Sequence, residues 1–268
     1  MDIRVWLRTA LRLLVIISAV AGLAVFGLVI FVRIVDVEQL RSASDSLGTY
    51  MQTLGGIYAV LLAFVVVVVW QQFNEARGFV NREANSVIDL HRIAGGLPDD
   101  ARDVIRQGLR DYVAGVLNEE WSAMTKHDER VIEKVGQRLD RVWSAIHTCM
   151  PLNECQHTVY GEVLGRFNDL TELRTNRLVA AGAKIPIAMN VLLYTGAVIM
   201  ICSMYLLPFD RFWLHAMVTG AFAGAVAHIL FLIWDLDDAF AGDYQVDRMP
   251  FLRAQKALAH IESPTSPP

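Results

Sequence analysis

Residues 54–77 read LGGIYAVLLAFVVVVVWQQFNEAR, and the fold turns on this stretch. Leu54 to Trp70 carries no charge, and only slightly more length would give the ~20 residues a helix needs to cross ~30 Å of hydrocarbon. No Gly or Pro interrupts Phe64 to Arg77, so the spacing predicts one helix that leaves the membrane and runs on into polar sequence. Three more apolar runs of this kind lie at Leu13–Val32, Ile185–Leu207 and Phe212–Trp234. The order is two spans, a charged block, then two spans. That order predicts an all-α integral membrane protein with a helical domain inserted between helices 2 and 3.

Composition points the same way. A mean hydropathy of +0.37 with 54% hydrophobic residues is too apolar for an ordinary soluble domain, while 19% charged residues are too many for a bare membrane bundle. The net charge of −4 comes from mixed acids and bases, and no basic stripe points to nucleic acid. Arg4, Arg8 and Arg12 also fit the positive region of a cleaved signal peptide, with Ser18–Ala21 as its cleavage site. The adjoining apolar run exceeds the usual ~7–15 residues, so the segment reads as a first span.

Counting basic residues near the spans sets the orientation. Arg4, Arg8 and Arg12 precede the first span, and Arg77, Arg82 and Arg92 open the middle block. The first loop carries only Arg33 and Arg41, diluted by Asp36, Glu38 and Asp45, and Pro208-Phe209-Asp210-Arg211 joins the last two spans. Both termini and the middle block are therefore expected in the cytoplasm of a multi-pass membrane protein. The expected domains are 1–70 with two spans, 71–184 as a cytoplasmic helical domain, 185–234 with two spans, and 235–268 as a cytoplasmic tail. Ser263 to Pro268 reads as a disordered end.

The middle block reads as helices. Phe73, Ala76, Val80, Ala84, Val87, Ile88 and His91 recur near a 3.6 period, and Gly95-Gly96-Leu97-Pro98 ends that helix. Asp99 is the expected N-cap of the next, whose apolar face is Val104, Ile105, Leu109, Tyr112, Val113, Val116, Leu117 and Trp121. A further helix spans about 129–146. After the tight connection Pro151-Leu152-Asn153, another runs from about Thr158 into the third span.

Several passages carry a resemblance. They are Gly55 to Phe64, Trp70-Gln71-Gln72-Phe73-Asn74-Glu75-Ala76-Arg77, Arg82-Glu83-Ala84-Asn85, Tyr112 and Glu119-Glu120-Trp121. Together they resemble a bacterial family of membrane proteins described as bestrophin-like, more distantly similar to bestrophins proper. Bestrophins are pentameric anion channels whose second span lines a narrow hydrophobic neck. The resemblance therefore implies a homo-oligomer, a pentamer above all, with ions passing along an axis and the lipid bilayer around it.

On a helical wheel Thr53, Gly56, Val60, Phe64, Val67, Gln71 and Asn74 share one face of the second span, with Glu75 at its edge. Polar ends around an apolar middle suit a constriction that gates by dewetting. Any span has polar ends where it leaves the bilayer, so a lipid-facing span is the alternative. Gly55, Gly56, Ala59 and Ala63 would equally let another helix approach closely. The stripe holds no Lys or Arg, and Gln71, Asn74 and Glu75 at its mouth would favour cations if anything, a departure from anion-selective bestrophins that leaves the selectivity open.

Intramembrane polar residues are the next candidates. Asn190 stands one turn from Tyr194 on the third span; the fourth carries His215, Thr219 and His228, with Asp235 two turns beyond. His228 sits in an otherwise apolar run and would titrate near neutral pH, or would hydrogen-bond across a helix interface. Asp235, Asp237, Asp238 and Asp243 offer hard oxygen ligands for calcium, but Phe240 stands where an EF-hand needs glycine. The other reading is an acidic turn that pairs with Arg77 or Arg82. His147, Cys149, Cys155 and His157 flank a short turn with four zinc-type ligands, at a spacing of no standard finger; helix-tip residues without metal are the alternative. A Cys149–Cys155 disulfide does not suit the cytoplasm, and Cys202 reads as a small apolar filler.

No Walker loop, G-x-S-x-G elbow or H-E-x-x-H is present, and the adjacent Glu119 and Glu120 point about 100° apart on a helix. Neither an enzyme nor a cofactor is expected. One four-span protomer is too small to enclose a water-filled path, so conduction requires a ring. The expectation is a bestrophin-like oligomeric ion channel with the second span at its axis. The alternative is a non-conducting scaffold or sensor whose cytoplasmic helices bind a partner.

Overall fold

The computed structural model describes residues 3–35, 44–126 and 128–262. Asp36, Glu38 and Arg41 of the first loop, and the end from Ser263 to Pro268, lie outside the described residues. All regular structure among the described residues is helical, and four helices are long and apolar enough to cross a membrane. The chain forms two compact units.

The first unit holds Met1–Gln71, Lys184–Asp237 and Gly242–Tyr244. Its helices are α1 (Ile3–Ile34), the first part of α2 (Ser44–Ile93), α7 (Ile187–Met204) and α8 (Phe212–Leu236). Without water to hide from, these helices associate by close packing of small residues. Helix α1 lies along α8, where Val25 meets Gly220 and Ile17 meets Gly224. The span of α2 meets α7 through Tyr58, whose hydroxyl donates to the Leu193 carbonyl at 2.8 Å. Gly196 makes that approach possible: a Cβ there would stand 2.5 Å from the Tyr58 ring. Leu62, Val65 and Val69 follow Tyr58 along the same buried edge of α2.

The second unit holds Gln72–Ala183, Asp238–Ala241 and Gln245–Pro268. Helix α2 continues into it unbroken and ends in a 3₁₀ turn at Ala94–Gly96, where the Gly-Gly-Leu-Pro stretch stops it. Then come α3 (Asp99–Gly115), a π-helical turn (Val116–Glu120), α4 (Trp121–Lys126), α5 (Glu129–Thr148) and α6 (Glu154–Gly182). Two caps fall where short polar side chains stand: Asp128 accepts the Val131 amide, and Asn153 accepts the Gln156 amide at 2.9 Å. The 235–268 segment is not featureless, since α9 (Met249–Glu262) buries Phe251, Ala254 and Leu258 in this unit. Phe251 and Phe240 make T-shaped contacts with Trp121 at 6.4 and 5.6 Å between ring centres.

Three sequence expectations change. Asp99 is the first helical residue rather than the cap, which falls at Pro98; its carboxylate takes Arg102 at 2.6 Å instead of a backbone amide. The helix expected to run from about Thr158 into the third span begins at Glu154, is complete at Gly182, and gives way to α7 only from Ile187. Pro186 explains the break, because its ring holds the residue before it out of the helical region. Val104, expected on the buried face of α3, is 53% exposed, its helix turning that edge outward.

Candidate functional site

Helix α2 presents two opposite edges. In the span, Tyr58, Leu62, Val65 and Val69 are buried, while Val60, Phe64 and Val67 are 71%, 64% and 61% exposed. Thr53, Gly56 and Gln71 are exposed with them, and Asn74 is half-buried. Among the described residues, the face that carries Thr53, Gly56, Val60, Phe64, Val67 and Gln71 is thus left uncovered. A Cβ at Gly56 would meet no described atom within 4 Å, whereas one at Gly55 would stand 3.4 Å from the Met200 methyl. Of the small residues expected to admit a neighbouring helix, Gly55 meets one.

Farther along the same helix the edges become chemically distinct. Glu83 points inward and is fully buried, beside Val80, Ala84 and Val87. Its carboxylate receives Arg177 twice, Nε to Oε2 at 2.6 Å and Nη2 to Oε1 at 3.1 Å, and accepts the Tyr112 hydroxyl. The same guanidinium reaches Glu120 at 2.7 Å and the Met124 sulfur at 2.9 Å. Arg174 closes the cluster on Glu120 and the Ile132 carbonyl, the latter at 2.8 Å. Glu83, Tyr112, Glu120 and Arg177 show no exposed surface, and the Phe251 ring lies 5.7 Å from the Arg177 guanidinium carbon. Two carboxylates and two guanidiniums balance, as buried charges must. Burial alone disfavours a charged Arg177, but Glu83 and Glu120 reverse that and hold its pKa well above the ordinary guanidinium value. Burial, and then the Glu83 charge, push Tyr112 well above the usual phenol range, so it serves as a hydroxyl donor.

The π-turn is what aims Glu120. One extra residue per turn widens the helix locally and rotates the residues beyond it. Asn118 stays exposed, Glu119 turns to Lys134 at 2.9 Å and to Arg138, and Glu120 turns inward. Glu83, Tyr112, Glu120 and Trp121, all from passages that carry the family resemblance, converge here. Arg174 and Arg177 have no such signal in the sequence; on a charged amphipathic helix they read as solvated.

The remaining candidates separate. Asn190 is half-buried in the first turn of α7, its amide on the Pro186 carbonyl. His228 is exposed on α8. The buried histidine of α8 is His215, stacked on Phe209 at 4.7 Å with Nε2 2.9 Å from the Met204 carbonyl, where it ties the turn between the last two spans. Asp235 is also buried, and both its oxygens take backbone amides, Asp243 at 2.7 Å and Tyr244 at 2.8 Å. Asp237 accepts the Ile185 amide, and Asp243 pairs with Arg12 at 3.1 Å. The acidic stretch thus works as a folded turn with its carboxylates spent on local partners. Among the described residues, no three His, Cys, Asp or Glu side chains converge to hold a metal. Cys149 is half-buried and Cys155 exposed, both as free thiols, and burial raises the Cys149 pKa. His147 instead stacks on Trp143 at 6.1 Å.

The fold is that of bestrophin homologues. It is similar to a crystal structure of a Klebsiella pneumoniae bestrophin homologue carrying a point substitution, with a TM-score of 0.69 at 18% identity over 92% of this chain and 99% of that one. A second structure of the Klebsiella pneumoniae homologue matches with a TM-score of 0.65 at 18% identity, over 94% and 98% of the two chains. A crystal structure described only as a membrane protein matches at 0.65 and 17% identity, over 96% and 99%. No curated protein matches the chain. The architecture therefore defines a helical membrane protein of the bestrophin type. The family model described as Bestrophin-like domain matches residues 18–251, and the chain belongs to the bestrophin-like family.

Proposed function

We propose that the protein is an ion channel, assembled as a closed ring of identical subunits with α2 at the axis. The observation that carries this reading is the uncovered face of α2. Thr53 and Gln71 bracket Val60, Phe64 and Val67, and all five are exposed among the described residues. A water path needs wettable ends and tolerates a short apolar neck, and this face has both. Membership of the family and the fold shared with bestrophin homologues favour a pentamer.

In this reading the second unit lies in the cytoplasm with both termini, following the distribution of arginines, and the likeness to a bacterial bestrophin homologue supports the inner membrane of a bacterium. Native mass spectrometry of the protein in mild detergent is the first test, and a pentamer is the expected result. Phe64→Ala should then change single-channel conductance in planar bilayers several-fold. A monomer or dimer that persists in nanodiscs overturns the axial pore. A scaffold that only anchors its cytoplasmic helices would show no conductance, and Phe64→Ala would alter packing alone.

A further inference from the structure

Two cavities open beside the first span, both within the membrane unit. The larger, about 620 Å³, lies between Val20 and Leu23 of α1, Ala197 and Ile201 of α7, and Ala227 and Trp234 of α8. The smaller, about 560 Å³, continues along α1 past Gly27, Phe31 and Ile34. Cys202 and Tyr205 line both, so the two are one furrow crossed by a single side chain. The Tyr205 hydroxyl donates to the Ala24 carbonyl at 2.8 Å, and its ring rests 5.8 Å from that of Phe31. Gly27 permits the crossing, since a Cβ there would stand 2.6 Å from the Tyr205 oxygen.

The furrow runs from Ile16 to Val35, which at 1.5 Å per residue is about 28 Å, close to the full hydrocarbon thickness. Its polar groups are few and in part already engaged: Tyr205 is bonded, and the Ser203 hydroxyl donates to the Ile199 carbonyl at 2.8 Å. An occupant must therefore be long, narrow and apolar. At the Ile16 end stands Arg12, one helical turn earlier on α1. Its side chain is 69% exposed and, among the described residues, makes one ion pair, through Nη1, with Asp243. A guanidinium has five donors, so most remain available to an anionic group above the furrow.

We propose that this furrow seats an acyl chain of an anionic phospholipid whose phosphate is held by Arg12. The charge at one end and the apolar channel leading from it match the two parts of such a lipid. A span from a second copy would fill the furrow but has no use for Arg12 at its mouth. One basic residue near the surface is worth roughly a fivefold preference for an anionic lipid over a neutral one.

Trp234 lines the furrow and reports its occupancy. The full-length protein is reconstituted in phosphatidylcholine nanodiscs containing a small fraction of lipid brominated on its acyl chains. The Trp234 signal is isolated by difference from Trp234→Phe. Brominated phosphatidylglycerol should quench it at about fivefold lower mole fraction than brominated phosphatidylcholine. Arg12→Gln should make the two lipids equal, and Ala227→Phe should weaken quenching by both. Should Ala227→Phe fail to fold, Arg12→Gln decides alone. Equal quenching by the two lipids in the unsubstituted protein means annular lipid only and overturns the proposal. No Trp234 quenching by either means another copy covers the furrow, and overturns it too.

Discussion

Removing the Arg177 guanidinium would leave the Glu83 and Glu120 carboxylates buried with one counter-ion fewer. Arg177→Met should therefore destabilise the protein by about 3–5 kcal/mol, read as a shift in chemical unfolding followed by circular dichroism in detergent. Tyr112→Phe keeps the ring and loses one bond to Glu83, so about 1–2 kcal/mol is expected in the same measurement. His91 gives a separate signal. Burial, then Arg106 and Arg110, lower its pKa from 6.5 to about 4. The unfolded chain takes up a proton as pH falls below 6.5 while the folded one resists until about 4, so stability present above 6.5 is lost across that interval. At 1.36 kcal/mol per unit the loss is at most about 3 kcal/mol. His91→Leu should remove that slope from the pH dependence of unfolding. These side chains also mark where reading the sequence stops. A Glu or Arg on a helix is normally solvated, and only the packing of α6, the π-turn and α2 shows that Glu83, Glu120 and Arg177 are not.

Among the elements, the π-turn at Val116–Glu120 and the contact of α2 with α7 each depend on a local exception to regular packing. Deleting the exposed Asn118 would restore an α-helix and rotate Glu120 by about 100° away from Arg177. The expected outcome is a loss of stability close to that of Arg177→Met, although the deleted side chain makes no buried contact of its own. Gly196→Val would drive a methyl into the Tyr58 ring, which stands only 2.5 Å from a Cβ position. Spans two and three should separate, seen as a weaker disulfide cross-link between cysteines placed along α2 and α7. The long apolar runs, the continuation of α2 beyond Gln71 and the stop at Gly95-Gly96 were legible in the sequence, because length, apolarity and missing side chains act locally. The break before α7 was equally local: Pro186 was in plain view, yet the apolar run from Ile185 hid it. The π-turn was not legible, since Val-Leu-Asn-Glu-Glu is ordinary helix-compatible sequence and its widening follows from what Glu120 meets.

At the scale of the molecule, two units are threaded by one helix of 50 residues, about 75 Å long. Residues 238–241 and 245–262 return to the second unit, and Phe240 and Phe251 close on Trp121 there. Truncation before Met249 should thus unfold much of the second unit rather than trim a tail, with Phe251, Ala254 and Leu258 lost from its core; proteolysis of the truncated chain would show it. The sequence by itself determined the all-helical class, the four spans, the charged block between them and the resemblance to the bestrophin-like family. Each span and the block between them reflect the transfer of apolar side chains out of water, which depends on composition along a single segment. Only the tertiary structure decided which edge of α2 is left uncovered, that Glu83, Glu120, Arg174 and Arg177 form one buried cluster, and that His147, Cys149, Cys155 and His157 do not converge. Those outcomes depend on which distant helices meet, and a buried charge looks the same in sequence as a solvated one until its partner is in place.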